Sequence, residues 1–365
     1  MSKKTLYIIL VILASLAIIG GVVWYLFFKS AKPVTTPGAG FAAPGQEAAA
    51  GWKPISDDPV VSARWSGDEI LFYDFSGQLW QFKTGDAKPI LTDQTAIENP
   101  AEIIWSLNGK NMVKAGSEQF DSRYVFNDFA KKISANLTAN IKSAAFSPDG
   151  AKMVYHISGN SNINSLYTSN PDGKKQKSLI TSFKLRDIKL SWPKNNTISL
   201  TSKPSGLITG NAWTLNTVNL VLAKIIGDLR GLETLWAPNG DSFIYSYADE
   251  SGRNPSLAVY KKGVSRIIEN TSTLIDKCAW AGDSINIYCA VPQSWPYSAV
   301  LLPDDYYKKV FSTVDDLIKI NVETGEKNII YQAIGDISDL NISSDGGSLI
   351  FLSRNSGLLY QLNLK

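Results

Sequence analysis

The sequence predicts an all-β fold, a β-propeller, behind a single N-terminal transmembrane helix. Three observations predict it. The first is a repeated phrase in which an apolar or aromatic anchor is followed by Asp or Asn, usually with Gly. It occurs as Trp65-Ser-Gly-Asp68, Trp105-Ser-Leu-Asn-Gly109, Phe146-Ser-Pro-Asp-Gly150, Trp192-Pro-Lys-Asn-Asn196, Trp236-Ala-Pro-Asn-Gly240, Trp280-Ala-Gly-Asp283 and Ile342-Ser-Ser-Asp-Gly346. The anchors are 40, 41, 46, 44, 44 and 62 residues apart, the period of a propeller array. The second is alternation around each phrase: Ala144 and Phe146, Cys278 and Trp280, Leu340 and Ile342 share a face, so a strand enters each turn. The third is an uncharged run of 23 residues, Leu6 to Phe28.

Each unit reads as four antiparallel strands. Asp-Gly and Asn-Gly supply the positive φ of a tight hairpin. A β-rich strand then leaves the turn, as in Met153–Tyr155 or Phe243–Tyr245. A third follows, as in Leu79–Phe82 or Leu317–Ile320, and a short fourth closes the unit, as in Ser265–Ile268 or Lys327–Ile330. Four such strands make one blade. Seven anchors predict seven blades, with six or eight as alternatives because the Trp192 unit lacks Gly. The last unit stops at Lys365 without a fourth strand, and Gly51-Trp-Lys-Pro-Ile55 resembles Asp86-Ala-Lys-Pro-Ile90, the fourth strand of the first unit. Closing the ring with Trp52–Ile55 would pair two open edges.

The predicted organisation is a head at 1–5, a membrane helix at 6–28, a linker at 29–50 and a propeller at 51–365. At 1.5 Å per residue the apolar run spans roughly 34 Å, enough for a bilayer core of ~30 Å. Trp24 and Tyr25 lie near its end, where aromatic belts form. A cleaved signal peptide would have a shorter apolar region and a small-x-small site, whereas this run ends in Leu26-Phe27-Phe28-Lys29. The linker is rich in Ala, Gly and Pro and cannot bury enough surface to fold. The flanking lysines barely decide orientation. The small head leaves the propeller as the working part, so the expected topology is N-terminus cytoplasmic and propeller extracytoplasmic.

Composition excludes several functions. Net charge is +3 from 36 basic and 33 acidic residues, with no basic stripe, so nucleic acid is not an expected partner. The one histidine, His156, removes most imidazole metal sites and His-based catalysis. No cofactor, metal or catalytic residue is expected. The tryptophan anchors share one phase of the repeat and read as packing between blades. Asp68, Asp149, Asp283 and Asp345 read as turn residues.

The connections between second and third strands vary, and Val291–Asp315 is the longest. Variable loops on a rigid scaffold are where binding usually sits. Trp295, Tyr297, Asp304, Asp305, Tyr306 and Tyr307 are therefore candidate partner-binding residues, for a protein or an envelope polymer. The alternative is that the insert folds back to cover the ring, with Trp295 and Tyr306 buried. A glycan hydrolase or lyase using Asp304 or Asp305, and a structural spacer, are the competing functions. Cys278 and Cys289 flank one turn. If Ala281 pairs with Asn286, the two cysteines are directly opposed at ~4.5–5.5 Å, within disulfide range. An exported location would let that bond persist.

The Phe146-Ser-Pro-Asp-Gly150 phrase followed by Lys152-Met-Val-Tyr155 resembles the repeats of TolB-like propellers, a bacterial periplasmic family. It is similar also to the propeller domains of tricorn-type and prolyl-oligopeptidase-type peptidases. The resemblance is sharp at Phe146–Tyr155, Trp236–Tyr245 and Ile342–Leu352. Ile318–Gly325 further resembles a strand-and-turn phrase of quinoprotein-type propellers. Such families act mostly as binding platforms, and the resemblance implies no particular ligand.

Overall fold

The computed structural model describes residues 52–364 except 94–95, 107–108, 117–122, 160–162 and 297–299. The expected membrane helix and linker, and Tyr297, lie outside the described residues. Among the described residues no helix is long and apolar enough to cross a membrane.

The described chain is mostly strand with almost no helix, in six antiparallel sheets. Five have four strands and one has seven. The seven-stranded sheet contains the 15-residue strand Leu222–Trp236, which pairs at its start with Thr209–Asn216 and at its end with Ser242–Ala248. It is thus the outer strand of the Trp192 unit and the inner strand of the Trp236 unit. Inner strands of successive units are neighbours, and the inner strands Val60–Ser66 and Ile337–Ile342 meet, which closes a ring.

The ring closes through the N-terminal strand. Trp52, Lys53 and Pro54 pair with Leu362, Gln361 and Tyr360. The Ile55 amide donates to the Leu359 carbonyl at 2.7 Å, and the Ser56 hydroxyl accepts from the Leu359 amide at 2.9 Å. The edge left open at the C-terminal end is thereby satisfied by residues some three hundred positions earlier.

Six of the seven hairpin turns place their positive-φ residue four positions after the anchor: Gly109, Gly150, Asn196, Gly240, Ser284 and Gly346. The first turn is shorter and uses Gly67. Asn196, at φ 56°, explains why the Trp192 unit keeps the turn without Gly, since Asn tolerates the left-handed region. The turn carboxylates hold backbone. Asp149 Oδ1 accepts from the Ala151 amide at 3.0 Å and the Ser147 hydroxyl at 2.6 Å, Asp345 repeats the pattern, and Asp283 Oδ1 accepts from the Ile285 and Asn286 amides at 2.9 and 2.8 Å. Asp68 differs, pairing with Lys83 at 3.1 Å on the surface.

The core lies between sheets. Trp65 packs with Phe72 of its own unit and Ile350 and Leu352 of the last; Trp105 packs on Tyr73 of the first. Trp192, Trp236 and Trp280 each join a cluster shared with the preceding unit. The tryptophans are half-buried and flank clusters whose fully buried members are mostly aliphatic residues, Phe and Tyr. His156 is fully buried on the strand Met153–Ser158 against Phe183, ring centroids 5.4 Å apart. Burial pushes its imidazole below the ordinary value.

Cys278 is register-paired with Cys289, and the Ala281 amide donates to the Asn286 carbonyl at 2.8 Å. The cysteines are disulfide-bonded with Cα atoms 4.1 Å apart, closer than directly opposed strand residues usually stand.

Candidate functional site: the insert-bearing face

One phase of the repeat is polar throughout. Three residues before each anchor stand Ser62, Glu102, Ser143, Lys189, Glu233, Lys277 and Asp339. These lie on or beside the inner strands. Asp276 feels the charges of Lys189 and Arg354, and Asp339 those of Asp276 and Arg64, so groups from separated units act on one another across a common region.

Three carboxyls in this space are pushed up. Burial raises Glu233 to about 7, with Lys189 and the Tyr307 hydroxyl pulling the other way. Asp339 rises to about 6, by burial first and then by Asp276, against the Ala63 amide at 3.3 Å and Ser62. Asp276 rises by burial, opposed first by Lys277. Glu233 is half-buried from solvent, and protein groups pack around its carboxyl.

The 291–315 insert reaches into this space. Asp304–Tyr307 forms a single helical turn after Pro303. The Tyr307 hydroxyl reaches Glu233 Oε1 at 2.8 Å and Oε2 at 2.9 Å. The strand carrying Glu233 turns at Gly231, at φ 60°, where a Cβ would lie 2.7 Å from the Leu302 carbonyl. Only glycine lets the insert seat so closely.

A buried charge network holds the insert. Lys277 Nζ donates to Asp315 Oδ2 at 2.5 Å, Asp336 Oδ1 at 2.7 Å, the Thr313 hydroxyl at 3.1 Å and the Ile337 carbonyl at 3.2 Å. Arg354 donates to Asp336 Oδ2 at 2.7 Å and lies 3.5 Å from the centre of the Tyr306 ring. The Tyr306 hydroxyl donates to Asp336 Oδ1 at 3.3 Å. Burial raises the Asp315 carboxyl, with Lys277 opposing. Tyr306 also packs with Leu274, Leu302, Trp295 and Phe311. The Trp295 indole donates to the Ser272 hydroxyl at 2.9 Å.

The sequence-derived candidates therefore divide. Tyr306 is fully buried and cannot touch a partner, and half-buried Trp295 packs inward beside it, so both belong to the fold-back arrangement. Asp304 Oδ2 accepts from the Gly206 amide at 2.6 Å, and Asp305 Oδ2 from the Leu301 amide at 2.8 Å. Both carboxylates hold backbone, and both residues stay half-buried. Tyr307 alone is exposed among the described candidates. Beside it the Ser202–Asn211 connection presents exposed Leu207 and Ile208, and the insert presents Val310. Arg230 fixes that connection by donating to the Gly206 carbonyl at 3.2 Å and to the Leu207 carbonyl. Glu233, Asp276 and Asp339 escaped sequence reading; their shared phase, three before the anchor or next to it, was the available signal.

No family model matches this chain, and no curated protein matches it. Among solved structures, an oligogalacturonate lyase in complex with manganese is similar at 12% identity and TM-score 0.59, over 84% of this chain and 89% of that one. An oligogalacturonate lyase from Vibrio parahaemolyticus is similar at 9% identity and TM-score 0.59, over 86% and 93%. The tricorn protease is similar at 11% identity and TM-score 0.56, over 85% of this chain and 34% of that one. At these identities the likeness is one of fold: the chain is an all-β protein of the propeller class. As for manganese, the single imidazole is walled into a sheet, and among the described residues no three His, Cys, Asp or Glu side chains stand close enough to hold a metal ion.

Proposed function

We propose that the chain is a seven-bladed, TolB-like propeller, tethered outside a membrane by residues 6–28, that binds a protein or envelope polymer on its insert-bearing face. The seven blades are the five four-stranded sheets plus the two units that share Leu222–Trp236. One observation carries the proposal: the chain enters the ring on the opposite face. Trp52 pairs with Leu362, and the next residue, Asn363, pairs with Ser348 beside the Ser343–Gly347 turn. Trp52 therefore lies at the short-turn face, opposite the face that carries the insert with Leu207, Ile208 and Tyr307. The test is a photo-crosslinking residue at Ile208 in the full chain in its native membrane. The expected result is a discrete crosslinked species, absent when the same residue replaces Lys88 on the other face. Equal labelling from both positions would refute a dedicated face.

A second reading, an envelope glycan hydrolase or lyase, has one observation in its favour. Glu233, raised to about 7 and held by Tyr307, is a carboxyl able to carry a proton near neutral pH. The fold likeness to oligogalacturonate lyases makes oligogalacturonate the first substrate to assay. Turnover abolished by E233Q would favour this reading.

A further inference from the structure

The short-turn face carries a feature that the binding reading does not use. The third-to-fourth strand turn of the Trp192 unit, residues 216–222, ends in Val218-Asn219-Leu220-Val221-Leu222. Val218 is 74% exposed, Leu220 47% and Val221 56%. The finger is held by its own hydrogen bonds. Asn216 Oδ1 accepts from the Val218 and Asn219 amides at 2.9 and 3.2 Å, and Asn219 Oδ1 from the Val221 amide at 3.1 Å. The Thr217 amide donates to the Asn196 carbonyl at 3.0 Å, fixing the finger to the neighbouring turn. Leu220 holds φ 58°, a conformation a leucine seldom adopts. The apolar side chains are thus presented outward by a rigid support.

The equivalent turns of three nearby units carry paired lysines: Lys131 and Lys132, Lys174 and Lys175, Lys261 and Lys262, all exposed. Lys174 pairs with Asp172 and Lys261 with Glu323. The other four make no ion pair among the described residues. Ile133 and Val264, beside two of these pairs, are exposed as well. The face also carries the turn carboxylates Asp149, Asp241 and Asp283, so its cationic character is local to the unpaired lysines Lys131, Lys132, Lys175 and Lys262. An apolar finger near such lysines has the composition of an interfacial membrane contact: apolar groups enter the acyl boundary while lysines meet anionic headgroups. The same face receives the chain at Trp52. A Gly- and Pro-rich linker of some twenty residues reaches only about 25 Å.

We infer that this face, led by Val218–Leu222 and the lysine pairs, docks on an anionic bilayer, the one holding the chain's own apolar N-terminal segment. The inference rests on the tethered reading above. Docking would fix the propeller with its insert outward.

The test uses the full chain in nanodiscs of phosphatidylcholine with or without phosphatidylglycerol. Single added cysteines at Ser15, Val221 and Glu250 carry a fluorophore, and nitroxide lipids quench it. S15C reports the anchor, V221C the finger and E250C the opposite face. Docking predicts quenching at 15 and 221 but not at 250, with that at 221 lost on removing phosphatidylglycerol or in K131E/K132E/K174E/K175E. Quenching at 15 with none at 221 overturns the docking and leaves the anchor standing. No quenching at 15 overturns the anchor and, with it, this proposal.

Discussion

The Tyr307 hydroxyl bridges both carboxylate oxygens of Glu233, joining the tip of the insert to the inner strand of another unit. Folding raises Glu233 from 4.5 to about 7, so the folded state binds more protons than the unfolded state between those values. The associated stability is complete below about pH 4.5 and is lost as pH rises through about 7. Asp339, raised to about 6, acts with the same sign. E233Q should therefore flatten, without abolishing, the fall in melting temperature across this range. Y307F removes a donor to the ionised carboxylate and should move the fall to higher pH. Identical pH profiles for wild type and E233Q would contradict the burial of Glu233.

Lys277 is the cation that Asp315 and Asp336 share, and all three are fully buried. K277M strands Asp315 while Arg354 still holds Asp336. The expected loss is about 3–5 kcal/mol, from an uncompensated buried charge. K277M/D315N removes both the cation and the stranded anion and should recover much of it. Denaturant unfolding measures both. A double variant no more stable than K277M would mean that packing, not charge, holds the site.

How much of this was legible depended on sequence distance. The hairpins were, because alternation and turn chemistry are local: Trp280, Ala281 and Asn286 fix the register that opposes Cys278 to Cys289. The closing strand was legible through likeness between Trp52–Ile55 and a complete unit. The Lys277 network was not. It gathers residues 277, 306, 313, 315, 336 and 354 from four connections and their edges, and no local pattern marks such a meeting. The insert was legible as an insert, but aromatic residues beside charges describe a buried anchor as well as an exposed contact. Tyr306 is buried and Tyr307 exposed.

The disulfide closes a short loop within one hairpin. Removing it as C278A/C289A should cost ~2–3 kcal/mol. Intact mass after alkylation without reductant should show no added alkyl groups on protein isolated from membranes. Two added groups would mean free thiols and would count against an oxidising compartment.

Ring closure predicts unequal deletions. Removing residues 51–56 deletes the partner of Tyr360–Leu362 and exposes an edge, whereas removing 33–48 shortens the linker. The first should lower the melting temperature steeply and the second hardly at all. Equal melting temperatures would contradict closure by the N-terminal strand.

An extracytoplasmic binding module requires the propeller and its linker to be accessible from outside the cell. Protease added to intact cells or spheroplasts should clip the 29–50 linker or digest the propeller, without lysis. Full protection of the propeller until lysis would contradict an extracytoplasmic binding module.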